Sequence, residues 1–185
     1  RLVLEVVQSR QIPMVLIDRD VVAFPDRSGF DVVSCDNQRG GYLLGRHLAE
    51  QGCKRILFLM APLEFPTTQA RLVGAQMALA TYPQVTFQAA AGELASPHFF
   101  LQQVKAFKPH GVICDNDYSA AMVLRHALGA GLSVPRELKI TGFDDTPTAS
   151  LLPIALTTVR QPVEAMASRS EEHTSELQSR VDISY

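Results

Sequence analysis

Aspartate, asparagine and arginine recur in this sequence just past short apolar runs. Asp18 follows the run 14–17, Asp36 the run 32–35, Asn116 the run 111–114 and Asp144 the run 138–141. Arg71 opens the helical segment after the run 56–60. Such side chains suit a polyol: carboxylates accept from hydroxyls, guanidinium offers a planar fork of donors, and an amide does both. Buried partners of this kind discriminate strongly between hydroxylated ligands. In open parallel sheets ligands bind beyond the carboxyl ends of the strands, so several of these residues could line one rim. The same residue types also cap helices and form turns. Asp36, Asn37 and Asp117 are read that way.

Other chemistries find little support. The chain has no phosphate-binding Gly-rich loop, no Gly-x-Ser-x-Gly elbow, no His-Glu-x-x-His and no paired Cys-x-x-Cys. Its five histidines are dispersed. His47 lies in a helix, His98 and His110 flank the helix that starts at Pro97, and His126 is assigned to the surface. Asp115, Asp117, Asp144 and Asp145 could together hold magnesium for phosphoryl chemistry, but a cap at Asp117 and a turn at Asp145 account for two of the four. The expectation is a binding module and not an enzyme, without catalytic residues, metal or cofactor.

The composition agrees. A formal net charge of -2 with scattered Lys and Arg provides no basic stripe, so this stretch alone is not expected to hold DNA. Three cysteines at wide spacing, Cys35, Cys53 and Cys114, suggest free thiols and a cytoplasmic, reducing location. No apolar run reaches the length of a membrane span. No signal peptide is visible, although the chain opens on Arg1. From Arg169 it reads Arg-Ser-Glu-Glu-His-Thr-Ser-Glu-Leu-Gln-Ser, which resembles a sequencing adapter translated in one frame, so residues 169–185 are read as non-native.

Apolar runs alternating with segments of helical period predict βα units and an α/β fold with a parallel sheet. Strands are expected at 14–17, 32–35, 56–60, 85–87, 111–114 and 138–141, the first two buried. A turn cluster is expected over 24–29. Helices are expected after Asp36 and Asn37 with Leu44 and Leu48 inward, and, following a loop with Pro62, Pro66 and two threonines, from Arg71 with Val73, Met77 and Ala80 inward. Two more should start at Pro97, with Phe100, Val104 and Phe107 inward, and at Asn116 or Asp117, with Ala121, Leu124 and Leu128 inward.

Several segments, taken in order, resemble the lactose-repressor (LacI/GalR) family. They are Ile12-Pro13-Met14-Val15-Leu16-Ile17-Asp18, Asp36-Asn37 with Gly41 and His47-Leu48, and Arg71-Leu72-Val73-Gly74. Further on come Cys114-Asp115-Asn116-Asp117, Ile140-Thr141-Gly142-Phe143-Asp144-Asp145 and Leu156-Thr157-Thr158-Val159-Arg160-Gln161-Pro162. The resemblance covers about residues 12–167. It implies a periplasmic-binding-protein-like type I fold with one subdomain nearly complete and the other partial. Residues 1–33 would end the N-terminal subdomain, 34–157 form the C-terminal subdomain and 158–168 start the crossing back.

The resemblance also implies effector contacts at Asp18, Arg71, Asn116 and Asp144, with Thr67 added from the loop before the Arg71 helix. The effector would be a sugar, sugar derivative or nucleoside. Operator DNA would be reached only through a helix-turn-helix headpiece that this chain lacks. The full-length protein would be a homodimer, with its interface on the Tyr118 helix and the run 151–156. Cys53 stands where the family usually has histidine, Ala75 where an aromatic is common, and Leu94 where several members stack an aromatic on the ligand. A periplasmic sugar-binding protein is the alternative reading.

Overall fold

A computed structural model describes residues 2–10, 12, 14–22, 25–62 and 65–172. The described residues of Arg1–Asp36 and Pro162–Tyr185 form one compact unit, and Asn37–Gln161 form a second.

The first unit opens with α1 (Leu2–Ser9), a helix the apolar pattern had not indicated, followed by β1 (Val15–Ile17) and β2 (Asp31–Val33). The strands pair in parallel, with Leu16 opposite Val32. Both are half-buried and not enclosed as expected, and Ile17 is 48% exposed. Asp20 closes the connection between them. Its Oδ1 accepts from the Val21 and Val22 amides at 2.6 and 3.3 Å, and its Oδ2 from Ser28 at 3.0 Å. Burial works to raise this carboxyl, but the hydrogen bonds from Ser28, Val22 and Val21 outweigh it and hold Asp20 below the usual carboxylate value. Phe24, where the turn cluster was expected to start, lies outside the described residues.

The second unit runs α2 (Asn37–Glu50), β3 (Arg55–Met60), α3 (Pro66–Leu79), β4 (Thr86–Ala91), α4 (Pro97–Phe107), β5 (Gly111–Cys114), α5 (Asp117–Gly129), β6 (Lys139–Thr141) and α6 (Pro147–Leu151). Its strands form one parallel sheet in the order β4-β3-β5-β6. β3 and β5 lie in the middle and are buried along nearly their whole length, which is why they read as unbroken apolar runs. β4 is an exposed edge, twice as long as its short apolar stretch had indicated. Beyond β6, single parallel bridges from Thr141 to Thr157 and from Asp144 to Arg160 extend the sheet.

Alternation along the strands divides the core. Leu57, Leu59, Val112 and Cys114 pack with Phe100 of α4 and Val123, Leu124 and Ala127 of α5. Ile56, Phe58 and Ile113, all fully buried, point to the opposite face. Burial pushes the Cys53 thiol up, and pushes Cys114 well up with Asp115 and Asp117 adding to it, so neither supplies thiolate at neutral pH.

Two predicted helix faces are rotated. In α3 the residues turned inward are Thr67, Thr68, Arg71, Leu72, Gly74, Ala75, Ala78 and Leu79, whereas Val73 and Met77 are exposed. The reason is a close crossing with α2. A Cβ on Gly41 would run into the Arg71 carbonyl, and one on Gly74 into that of Gln38, so the contact admits only small residues. In α5 the buried set is Ala120, Val123, Leu124 and Ala127, leaving Leu128 39% exposed. His126, assigned to the surface from sequence, is buried at 7%. Its Nε2 lies 3.1 Å from the Leu94 carbonyl, which can only accept, so that nitrogen carries the proton. Leu94 itself belongs to the core.

The chain returns to the first unit through α7 (Val163–Glu172), where Met166 is buried. This helix includes Arg169–Glu172, the start of the segment read as non-native. The rest of that segment, with His173, lies outside the described residues.

Two expectations follow from this packing. Gly74→Ala should lower unfolding stability by about 3 kcal/mol through overpacking, measured as a fall in the urea midpoint at constant slope. His110 supplies a pH effect. Burial, then Arg55, Lys54 and Lys139, pushes its imidazole below the ordinary value, and its Nδ1 accepts the Lys54 amide at 3.2 Å, which only the unprotonated ring can do. The folded state therefore takes up a proton less readily than the unfolded chain. Stability present above about pH 6.5 is lost as pH falls through that value towards the lower folded pKa. His110→Asn, which can accept without titrating, should make the melting temperature fall less between about pH 7.5 and about pH 5.5 than in the unsubstituted chain.

Candidate functional site

Arg71 lies at the centre of the second unit's polar edge, with its side chain only 6% exposed. It stands within α3 and does not open it, because Pro66, free of any need for an amide partner, starts the helix a turn earlier. Nε donates to Asn37 Oδ1 at 2.8 Å and one terminal nitrogen to the Asp115 carbonyl at 2.5 Å. The other terminal nitrogen is 3.7 Å from Asp144 Oδ1, an ion pair longer than a direct hydrogen bond. The guanidinium carbon lies 3.6 Å from the centroid of the Phe143 ring, a cation–π stack. Four groups from α2, the end of β5 and the exit of β6 therefore surround one charge.

Asp144 lies in a turn of unusual backbone, with φ of 114° at Asp144 and 54° at Asp145. Its amide donates to the Val159 carbonyl at 2.8 Å, and its Oδ1 accepts from Gln161 Nε2 at 2.6 Å. Arg160 pairs with Asp145 in the same turn at 2.5 Å. The Asp144 side chain is 30% exposed, so it presents a partly open carboxylate beside a buried cation.

Asn116 is half-buried and is the N-cap of α5, its Oδ1 accepting from the Ser119 amide at 2.8 Å. Among the described residues its Nδ2 has no acceptor. Thr67 is buried in the first turn of α3, and not in a preceding loop as expected. Asp18 belongs to the first unit. Its φ is 78°, its amide donates to Val33 at 2.8 Å, its carbonyl accepts from Ser34 Oγ at 2.6 Å, and its Oδ1 is buried with no partner among the described residues.

The geometry thus brings Arg71 and Asp144 together and puts Asn116 at the start of the adjoining helix. Two residues read as caps do other work. Asn37 holds Arg71, and Asp117 is a buried acceptor for Thr146 and Thr158. Asp115, weighed only as a metal ligand, holds Arg71 through its carbonyl and accepts the Ala61 amide at 3.3 Å. No sequence signal distinguishes a capping Asn from one that orients an arginine across a helix pair. Among the described residues the four aspartates considered for magnesium do not form a ligand group, nor do any other three His, Cys, Asp or Glu.

The second unit thus combines a four-stranded parallel sheet with a polar constellation beyond its strand ends. The chain belongs to the periplasmic binding protein-like domain family, which matches residues 46–173. Its similarity is to LacI-type regulators, as the ordered motifs implied. It is 31% identical over 172 residues to the ribose operon repressor of Bacillus subtilis (strain 168), covering 90% of this chain and 51% of that protein. It is 32% identical over 164 residues to the HTH-type transcriptional repressor PurR of Salmonella newport (strain SL254), covering 85% and 47%.

Among solved structures, the periplasmic binding protein/LacI transcriptional regulator from Alkaliphilus metalliredigens QYMF, complexed with D-xylulofuranose, superposes with a TM-score of 0.75 at 27% identity. That match covers 94% of this chain and 72% of the other. A LacI-family regulatory protein from Chloroflexus aggregans gives 0.76 at 25%, covering 93% and 63%. The chain spans about half the length of the curated relatives it matches.

An arginine merely lining a cleft could be removed without loss of fold, but this one is enclosed. Arg71→Ala should therefore cost about 3 kcal/mol of stability, because it strips the partner from groups arranged around a buried charge. Asp144→Asn, which removes a charged partner but keeps an acceptor oxygen at a partly exposed site, should cost less than Arg71→Ala. Urea titration of both variants measures the difference.

Proposed function

We propose that this chain is the effector-sensing part of a LacI-type transcription regulator. It binds a small sugar, sugar derivative or nucleoside, and occupancy changes operator binding by a helix-turn-helix headpiece outside this sequence. The observation that carries the reading is the buried Arg71 guanidinium paired across 3.7 Å with the partly open Asp144 carboxylate. That pair offers a ligand hydroxyl an acceptor beside a fixed donor fork. Asn116 Nδ2 and Thr67 are assigned as further contacts, and Asp18 is assigned by the family resemblance alone. The names of the relatives, a ribose operon repressor and PurR, support a regulator over a transport protein.

In this mechanism the effector favours one of two conformations, and its differential affinity, typically about 1–3 kcal/mol, is the coupling to DNA. No catalytic step is assigned, and the regulator works in the cytoplasm. The full-length protein is a homodimer through the outer face of α5. There Tyr118 is 71% exposed and, with Ala121, Met122, Leu128 and Leu152, borders a groove of about 630 Å³.

Thermal-shift screening of pentoses, hexoses, nucleosides and purine bases should find at least one compound that raises the melting temperature. Asp144→Asn should weaken its binding at least tenfold by calorimetry. Binding undiminished in that variant would remove the site assignment. For the full-length protein, sedimentation at micromolar concentration should give a dimer, and Tyr118→Glu should shift it towards monomer.

A further inference from the structure

We infer that Asp117 is a positioning residue for Asp144, its buried carboxylate tying the 144–146 turn and the returning strand at Thr158 to the start of α5. Asp117 is 2% exposed and is the first residue of α5. A carboxylate there would ordinarily be expected to serve its own helix, as a cap or through the helix dipole. That place is already taken, since Asn116 caps the helix through the Ser119 amide. The bonds of Asp117 run outward instead. Its Oδ2 accepts from the Thr146 amide at 2.7 Å and from Thr146 Oγ1 at 3.1 Å, and its Oδ1 from Thr158 Oγ1 at 2.6 Å. Its own amide donates to the Phe143 carbonyl at 2.8 Å.

One residue thus grips both sides of Asp144: Phe143 before it and Thr146 after it. It also grips Thr158, next to Val159, whose carbonyl takes the Asp144 amide. The turn needs such restraint. Left-handed backbone at two successive aspartates is sparsely populated and persists only where the surroundings over-determine it. Without the Asp117 grip the turn would relax, and the Asp144 carboxylate would leave its place 3.7 Å from Arg71. The function assigned to Asp144 rests on the effector reading, whereas the structural hold on it does not.

The test is amide hydrogen exchange measured residue by residue on the full chain. Asp117→Asn keeps shape but removes the charge and leaves one acceptor oxygen where the carboxylate gave two. Exchange at the Asp144 and Thr146 amides should then rise at least tenfold relative to the Val112 and Ile113 amides of β5. Thr146→Val, which removes the hydroxyl that donates to Asp117 Oδ2, should move the Asp144 amide in the same direction, and Thr146→Ser, which keeps it, should not. If Asp117→Asn does not fold, the Thr146 pair decides. Unchanged exchange at Asp144, or a rise shared equally by the β5 amides, overturns the proposal. Asp144→Asn should leave Thr146 exchange as it was. Its ligand binding tests the effector reading, so the two ideas can fail separately.

Discussion

The second unit is organised around a charge taken out of water. The Arg71 guanidinium, nearly fully buried, would cost several kcal/mol if left without partners, and every neighbouring element supplies one. α2 gives the Asn37 carbonyl oxygen, the end of β5 the Asp115 carbonyl, and the β6 exit both the Phe143 ring and the Asp144 carboxylate. The glycines of the α2–α3 crossing follow from the same need. Only where backbones nearly touch, at Gly41 and Gly74, can Asn37 reach the arginine Nε. At the crossing the inward face of α3 is small, with Gly74, Ala75 and Ala78, and Val73 and Met77 are left outside.

The same atoms that satisfy the charge are suited to a ligand. Asp144 is a charged partner of Arg71 that is partly open to solvent, and the chain segment bonded to it, Val159 and Gln161, continues to Pro162. In the proposed function, ligand binding at Asp144 therefore acts on the Val159–Gln161 segment bonded to it. A turn held in a rare backbone conformation is a sensible place for such a link, because few alternative arrangements of it are compact.

The architecture was largely legible from local pattern. Central strands such as 56–60 and 111–114 are apolar on both faces because helices cover both, and Pro97 and Asn116 mark helix starts through simple amide chemistry. What misled was the assumption that apolar means inward. Val73 and Met77 follow helical period yet face out, because the crossing at Gly74 leaves no room for them. His126 was assigned outward for its polarity, but a carbonyl at Leu94 satisfies its ring inside the core. Asn37 and Asp117 were read as local caps, since their partners lie 29 to 41 residues away in the chain. Nothing within a single turn of sequence reveals such distances.

By itself, then, the sequence determined the alternation of strands and helices, the parallel sheet and the residue types gathered at its carboxyl end, because each depends on period, turn chemistry and side-chain type over a few positions. It also carried the order of motifs by which the family was recognised. Tertiary structure alone decided that Arg71 is enclosed and not merely lining, which of Asn116 and Asp117 caps α5, and how the Asp144 turn is restrained. Those outcomes depend on desolvation and on hydrogen bonds between distant segments, and they exist only once the chain has closed around the charge.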